Sequence, residues 1–140
     1  MLREEFINAK RIVIKLGTNV LRNADGEVAI SRIYSFIEDM AKLVKQGKEV
    51  ILVTSGAVGL GKKKLNLEST AEDGVKQACA AIGQSRLMSF YENGFGIYDV
   101  PIAQILLTED DFSLRYRYLS LRTTLNKILE FGVVPIINQN

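Results

Sequence analysis

The chain contains no histidine, and that absence removes whole classes of chemistry. A Ser-His-Asp triad, a Cys-His pair and a His-ligated zinc site are excluded within these residues. Cysteine is nearly as scarce. Cys79 stands alone in the apolar stretch QACAAIG, so no internal disulfide can form, and a small core residue is the expectation rather than a reactive thiol. Such usage fits a reducing compartment. Charge imbalance is slight: the formal net charge is +2, too little to point to nucleic acid or a membrane surface. No apolar run approaches the roughly 18 residues that span a bilayer. The opening MLREEFINAK mixes both charge signs and lacks the apolar centre of a signal peptide. The expectation is a cytoplasmic protein with no nucleic-acid and no membrane partner. Lys, Asp, Asn, Ser and backbone amides remain for chemistry. That set suits phosphoryl transfer, where positioning and charge neutralisation dominate.

What is present is an ordinary globular composition. The chain has 140 residues, 47% hydrophobic and 24% charged, enough for one domain or part of one. RIVIKLGTN (Arg11 to Asn19) begins as a β-branched run and breaks at Gly17. A turn at Asp25-Gly26 follows, with Ser31 as the expected N-cap of a helix. That helix carries Ile33, Phe36, Ile37, Met40, Leu43 and Val44 at helical spacing and stops at Gly47. Val50 to Val53 reads as a second strand, and Ala57 to about Leu65 as a short helix ending in lysines. A longer helix is expected from near Gly74 to near Gly94. Val100 to Thr108 reads as a third strand. The acidic turn Glu109 to Asp111 comes next, then a helix capped by Ser113 that ends at Gly132. Val133 to Asn140 reads as a fourth strand. Strands that alternate with helices and are apolar on both faces predict a parallel sheet between helix layers.

The strand ends share a polarity. They read KLGTN, TSGA, LLTEDD and NQN, so Gly, Thr, Ser, Asp and Asn collect at the carboxyl edge, where open α/β sheets bind ligands. VTSGAVGLG (Val53 to Gly61) is the sharpest of these turns. A buried strand feeding small residues into a helix start offers free N–H groups to a phosphate or carboxylate. Ser55 could hydrogen-bond such an anion or cap the helix that follows. Lys15 interrupts the run of what reads as a central strand. It could reach an anion over the sheet edge, or it could be an edge lysine that snorkels to water. Asn138 and Asn140 alternate along their strand and point to one face.

Three motifs are weaker. GAVGLGK (Gly56 to Lys62) fits the start of a P-loop, but Lys63 stands where Ser or Thr should follow, and AVGL looks helical. Asp110 and Asp111 read as a dipole-compatible surface turn rather than metal ligands. Arg115, Tyr116, Arg117 and Tyr118 read as an amphipathic helix face rather than an RNA surface.

KLGTN, VTSGAVGLGK, AAIGQSRLMSFYE, AQILLT and VVPIINQN, in this order and at compatible spacing, resemble the amino-acid kinase family, and within it the branch that phosphorylates glutamate. The resemblance runs from Arg11 onward. It implies a three-layer α/β/α sandwich and transfer of the ATP γ-phosphate, with Mg2+, to the side-chain carboxylate of L-glutamate, the first step of proline biosynthesis. Lys15 would then contact the transferring phosphate, beside Gly17 and Thr18. Ser55, Gly56 and Ala57 would hold glutamate, and Asn138 would line the same pocket. No metal ligand is assigned within the chain. Asn19, Ser120 and Gln139 depart from the family's usual Ser, Asn and Glu. The resemblance also implies a homo-oligomer and feedback inhibition by proline. It makes residues 1–140 the N-terminal, acceptor-binding part of a kinase domain, without the nucleotide half or any PUA domain, and so inactive alone. Alternatives are a kinase acting on aspartate or acetylglutamate, and a binding or assembly module.

Overall fold

A computed structural model describes residues 2–138. Eleven elements follow one another along the chain, as follows. They are α1 (Leu2–Asn8), β1 (Arg11–Leu16), α2 (Thr18–Leu21), α3 (Ile30–Lys45), β2 (Glu49–Thr54), α4 (Ala57–Lys64), α5 (Val75–Gly96), β3 (Ile102–Ile105), α6 (Asp110–Ser113), α7 (Arg115–Glu130) and β4 (Val134–Asn138). The four strands form one sheet in the order β1-β2-β4-β3, and every pairing is parallel. The expected parallel α/β sheet is therefore present.

Its two faces are covered unequally. Ile14, Leu16, Val50, Leu52, Val134 and Ile136 share one face and join Ile33, Ile37 and Met40 of α3 and Leu87, Tyr91 and Phe95 of α5 in the main core. α7 covers the other face over β4 and part of β2, burying Leu129 and Pro135. Arg11, Val13 and Lys15 of β1 stay exposed on that face, with Arg11 donating to Asn126 Oδ1 of α7 at 3.0 Å.

This corrects one expectation. β1 lies at an edge of the sheet among the described residues, not at its centre. Its RIVI run is apolar on both sides, yet Val13 is 62% exposed. A run of β-branched residues reports burial of one face at least, and strand order has no local signal.

Glycines end the helices as expected. After α3, Gly47 takes φ +87°, and the N–H groups of Gly47 and Lys48 bond Val44 and Leu43 carbonyls in a Schellman arrangement. Gly132 ends α7 in the same way. The expected N-caps are not where the structure starts its helices. Ser31 lies inside α3, which begins after Ala29, and Ser113 ends α6, while α7 begins after Leu114. β3 is also shorter than the run Val100 to Thr108 suggests.

Candidate functional site

Three neighbouring strand ends, of β1, β2 and β4, bring the sequence-predicted residues to one edge. Leu16 stands opposite Thr54, and Thr54 opposite Asn138. Gly17 and Thr18 continue from β1, and Ser55, Gly56 and Ala57 continue from β2. Lys15 pairs with Val53 two positions before Ser55. Its side chain is exposed and makes no ion pair among the described residues. The edge position of β1 removes the argument that a central strand would make this lysine unusual. Its place at the carboxyl end of the sheet stands. Asn140 and Gln139 lie outside the described residues.

The β2–α4 turn is built by three small residues. The Ser55 N–H bonds the Leu16 carbonyl at 3.2 Å, extending the β1–β2 ladder by one step. The Ser55 hydroxyl lies 3.3 Å from that of Thr18 and 3.5 Å from the Leu16 carbonyl oxygen. Ser55 does not cap α4. The cap position is Gly56, at φ +96°, with no side-chain bond to the helix start. An L-residue pays about 1–2 kcal/mol for that left-handed conformation. A Cβ on Gly56 would also stand 3.6 Å from Leu21 and 3.8 Å from Thr18. The first-turn amides of α4 thus have no side-chain acceptor, which is the state in which a helix start favours an anion.

The later glycines of VTSGAVGLG serve packing. From Ala57 onward the segment is helix, so the P-loop match fails in shape as well as at Lys63. A Cβ on Gly61 would fall 1.8 Å from the Cys79 carbonyl oxygen, and one on Gly83 would fall 1.6 Å from that of Ala57. α4 and α5 therefore touch backbone to backbone. Cys79 is buried there as a packing residue. The three lysines Lys62, Lys63 and Lys64 close α4 at its negative end, and Lys63 pairs with Glu27.

Several residues of this edge escaped the sequence reading. Thr54 and Tyr91 are both fully buried, and their hydroxyls lie 2.7 Å apart, tying the end of β2 to α5. Burial pushes the Tyr91 phenol up to about 12, partly opposed by its bond to Thr54. Arg22 donates to the Gly59 carbonyl at 3.3 Å and lies flat against that glycine, holding α4 from the side opposite α5. The Asn138 side-chain amide donates to Gln84 Oε1. Gln84 in turn lines a groove of about 610 Å³ between α5 and β3 that also includes Ser85, Met88, Glu92 and Gln104. Ser55, Gly56 and Ala57 do not line this groove. The sequence signal for Gln84 is its place in the AAIGQSRLMSFYE segment of the family resemblance, which carries no role for it.

The weaker motifs resolve into structure. The Asp111 carboxylate accepts from the N–H of Thr108 at 2.6 Å and from its hydroxyl at 2.9 Å, the acidic half of a capping box. Those bonds hold its carboxyl below the usual range. Among the described residues no group of three or more His, Cys, Asp or Glu could hold a metal ion, and Lys15, Gly17, Thr18, Ser55, Gly56, Ala57 and Asn138 include no carboxylate. The residues present do not fit a Mg2+ site. Arg115, Tyr116 and Tyr118 are exposed at the start of α7, and Arg117 lies 3.5 Å from Asp110. No helix among the described residues is long and apolar enough to cross a membrane.

The sheet is parallel, with glycine turns at its carboxyl edge, and residues 10–140 match the Amino acid kinase family. The chain belongs to that family. It is 49% identical over 140 residues to the glutamate 5-kinase of Desulfotalea psychrophila, covering 99% of this chain and 37% of that protein. It is 43% identical over 141 residues to the glutamate 5-kinase of Pelobacter propionicus, covering 100% of this chain and 38% of that protein. The chain thus spans little more than a third of these relatives, which fits the N-terminal portion that the resemblance implied. Among solved structures an isopentenyl phosphate kinase aligns over 93% of this chain and 57% of its own, with TM-score 0.55 and 12% identity. That likeness is one of fold and supports the three-layer architecture.

Proposed function

We propose that residues 1–140 form the acceptor-binding part of an ATP-dependent kinase that phosphorylates the side-chain carboxylate of L-glutamate, as the first step toward proline. The observation that carries the reading is the Ser55–Gly56–Ala57 turn, an uncapped helix start beside Thr18, one residue from the Asn138 register position. Its free amides and two hydroxyls suit a carboxylate. The acceptor needs no general base, because a side-chain carboxyl of pKa about 4.3 is ionised at neutral pH. One carboxylate oxygen bonds to the γ-phosphorus as the bond to the β–γ bridging oxygen breaks, giving glutamyl 5-phosphate and ADP. Charge on the γ-phosphate oxygens is the main obstacle, and Lys15 would offset it, with Gly17 leaving open space beside it. A magnesium ion accompanying ATP would be held by groups outside the described residues. Inhibition by proline and assembly into a homo-oligomer belong to the same reading.

The test uses the full-length protein carrying these residues, ATP, and hydroxylamine to trap the acyl phosphate as a hydroxamate. L-glutamate should give product where L-aspartate and N-acetyl-L-glutamate do not. Lys15→Ala should lower kcat by about 100-fold or more, the scale on which removing one transition-state charge contact acts, with KM for glutamate little changed. Preference for another acceptor would overturn the substrate assignment, and an unchanged kcat would remove Lys15 from the chemistry.

A further inference from the structure

Gly83 lets α5 approach the first turn of α4 so closely that a Cβ would meet the Ala57 carbonyl oxygen at 1.6 Å. The next residue, Gln84, is thereby delivered to the edge and bonds Asn138 across 54 positions of sequence. This amide pair is incomplete. Gln84 Nε2 and Asn138 Oδ1 are both buried and have no hydrogen-bond partner among the described residues. Exchanging oxygen and nitrogen in both amides preserves the bond between them and again leaves one donor and one acceptor unmet. Buried polar groups are rarely left so, because desolvation is not repaid.

We propose that the Gln84–Asn138 pair reads the backbone end of the acceptor, with Gln84 Nε2 donating to the α-carboxylate and Asn138 Oδ1 accepting from the α-ammonium. The inference rests on the acceptor-pocket reading above and deepens it. An α-amino acid carries an anionic acceptor and a cationic donor on one carbon, the complement of the two unmet atoms. Gln84 also lines the groove between α5 and β3, which gives its amide room to turn toward a ligand. Specificity follows: a site that hydrogen-bonds a substrate group rejects analogues lacking it, because its own polar atoms are then left unpaired. Gln84 is thus a specificity-determining residue that selects α-amino acids over compounds with only the terminal carboxylate.

The experiment measures KM and kcat of the full-length protein, by hydroxamate formation, for L-glutamate, glutarate and 4-aminobutyrate. Glutarate lacks the α-ammonium and 4-aminobutyrate lacks the α-carboxylate, while both keep a carboxylate to phosphorylate. Gln84→Leu should raise KM about tenfold for glutamate and glutarate, leave it within about twofold for 4-aminobutyrate, and change kcat little. Equal weakening of all three, or of none, would overturn the proposal. Gln84→Glu keeps an acceptor for Asn138 but replaces the donor by an anionic oxygen. It should raise KM for glutamate at least as far, and near-normal behaviour would reduce Gln84 to a prop for Asn138. No hydroxamate from glutamate with the unmodified protein would overturn the acceptor reading as well, an outcome distinct from the others.

Discussion

A buried hydroxyl pair shows what single residues contribute here. Thr54 and Tyr91 are each fully buried and satisfy each other at 2.7 Å. Replacing Tyr91 by Phe would leave the Thr54 hydroxyl without its partner, at a cost of about 1–3 kcal/mol in a denaturant titration. The same pair sets an alkaline limit. The folded-state Tyr91 pKa is raised by burial from 10.0 to about 12. Its contribution is therefore fully present below pH 10 and is lost as pH rises toward 12, because the unfolded chain releases the proton first. At 1.36 kcal/mol per unit this amounts to about 3 kcal/mol. The difference in stability between the native protein and Tyr91→Phe should shrink across that window, and a constant difference would contradict the assignment. The hydroxyls lie 37 positions apart, so no window of sequence pairs them. Lys15, Ser55 and Asn138 were legible for the opposite reason. Each is a polar residue at the end of an apolar run, and in a parallel sheet all such ends share an edge.

Elements were legible where periodicity is strong and less so where packing decides. α3, α4, α5 and α7 follow from their apolar spacing, and each strand from its apolar run. α1 and α2 have seven and four residues, too short for a periodic signal. The VTSGAVGLG segment illustrates the difference. Its first part serves the turn, where Gly56 needs its positive φ. Gly61 serves instead the α4–α5 crossing together with Gly83, a role that depends on a helix some twenty residues away. Gly83→Ala should therefore lower stability by about 3 kcal/mol or more, since a methyl group against backbone cannot be absorbed by a rotamer change. Gly96→Ala is the contrast, with nothing within 4 Å of the added carbon. It should be neutral or stabilise by up to about 1 kcal/mol. Thermal melts of the two variants check both, and similar midpoints would refute the close crossing.

At the scale of the molecule, alternation of strand and helix foretold the parallel sheet, but nothing local foretold its order. Among the described residues β1 and β3 bound the sheet, and the RIVI run does not announce an edge. The order matters to the site, because it sets β1, β2 and β4 side by side and so brings Lys15, Ser55 and Asn138 to adjoining strand ends. Gln84 joins them from α5, through a glycine contact that only the folded chain reveals. The central claim is that this edge, and the Ser55–Ala57 turn above all, holds the acceptor amino acid. Hydrogen–deuterium exchange of the full-length protein with and without L-glutamate tests it most directly. Exchange should slow in peptides covering residues 53–61, where uncapped first-turn amides would gain a carboxylate partner. Protection elsewhere, with exchange in 53–61 unchanged at saturating glutamate, would contradict it.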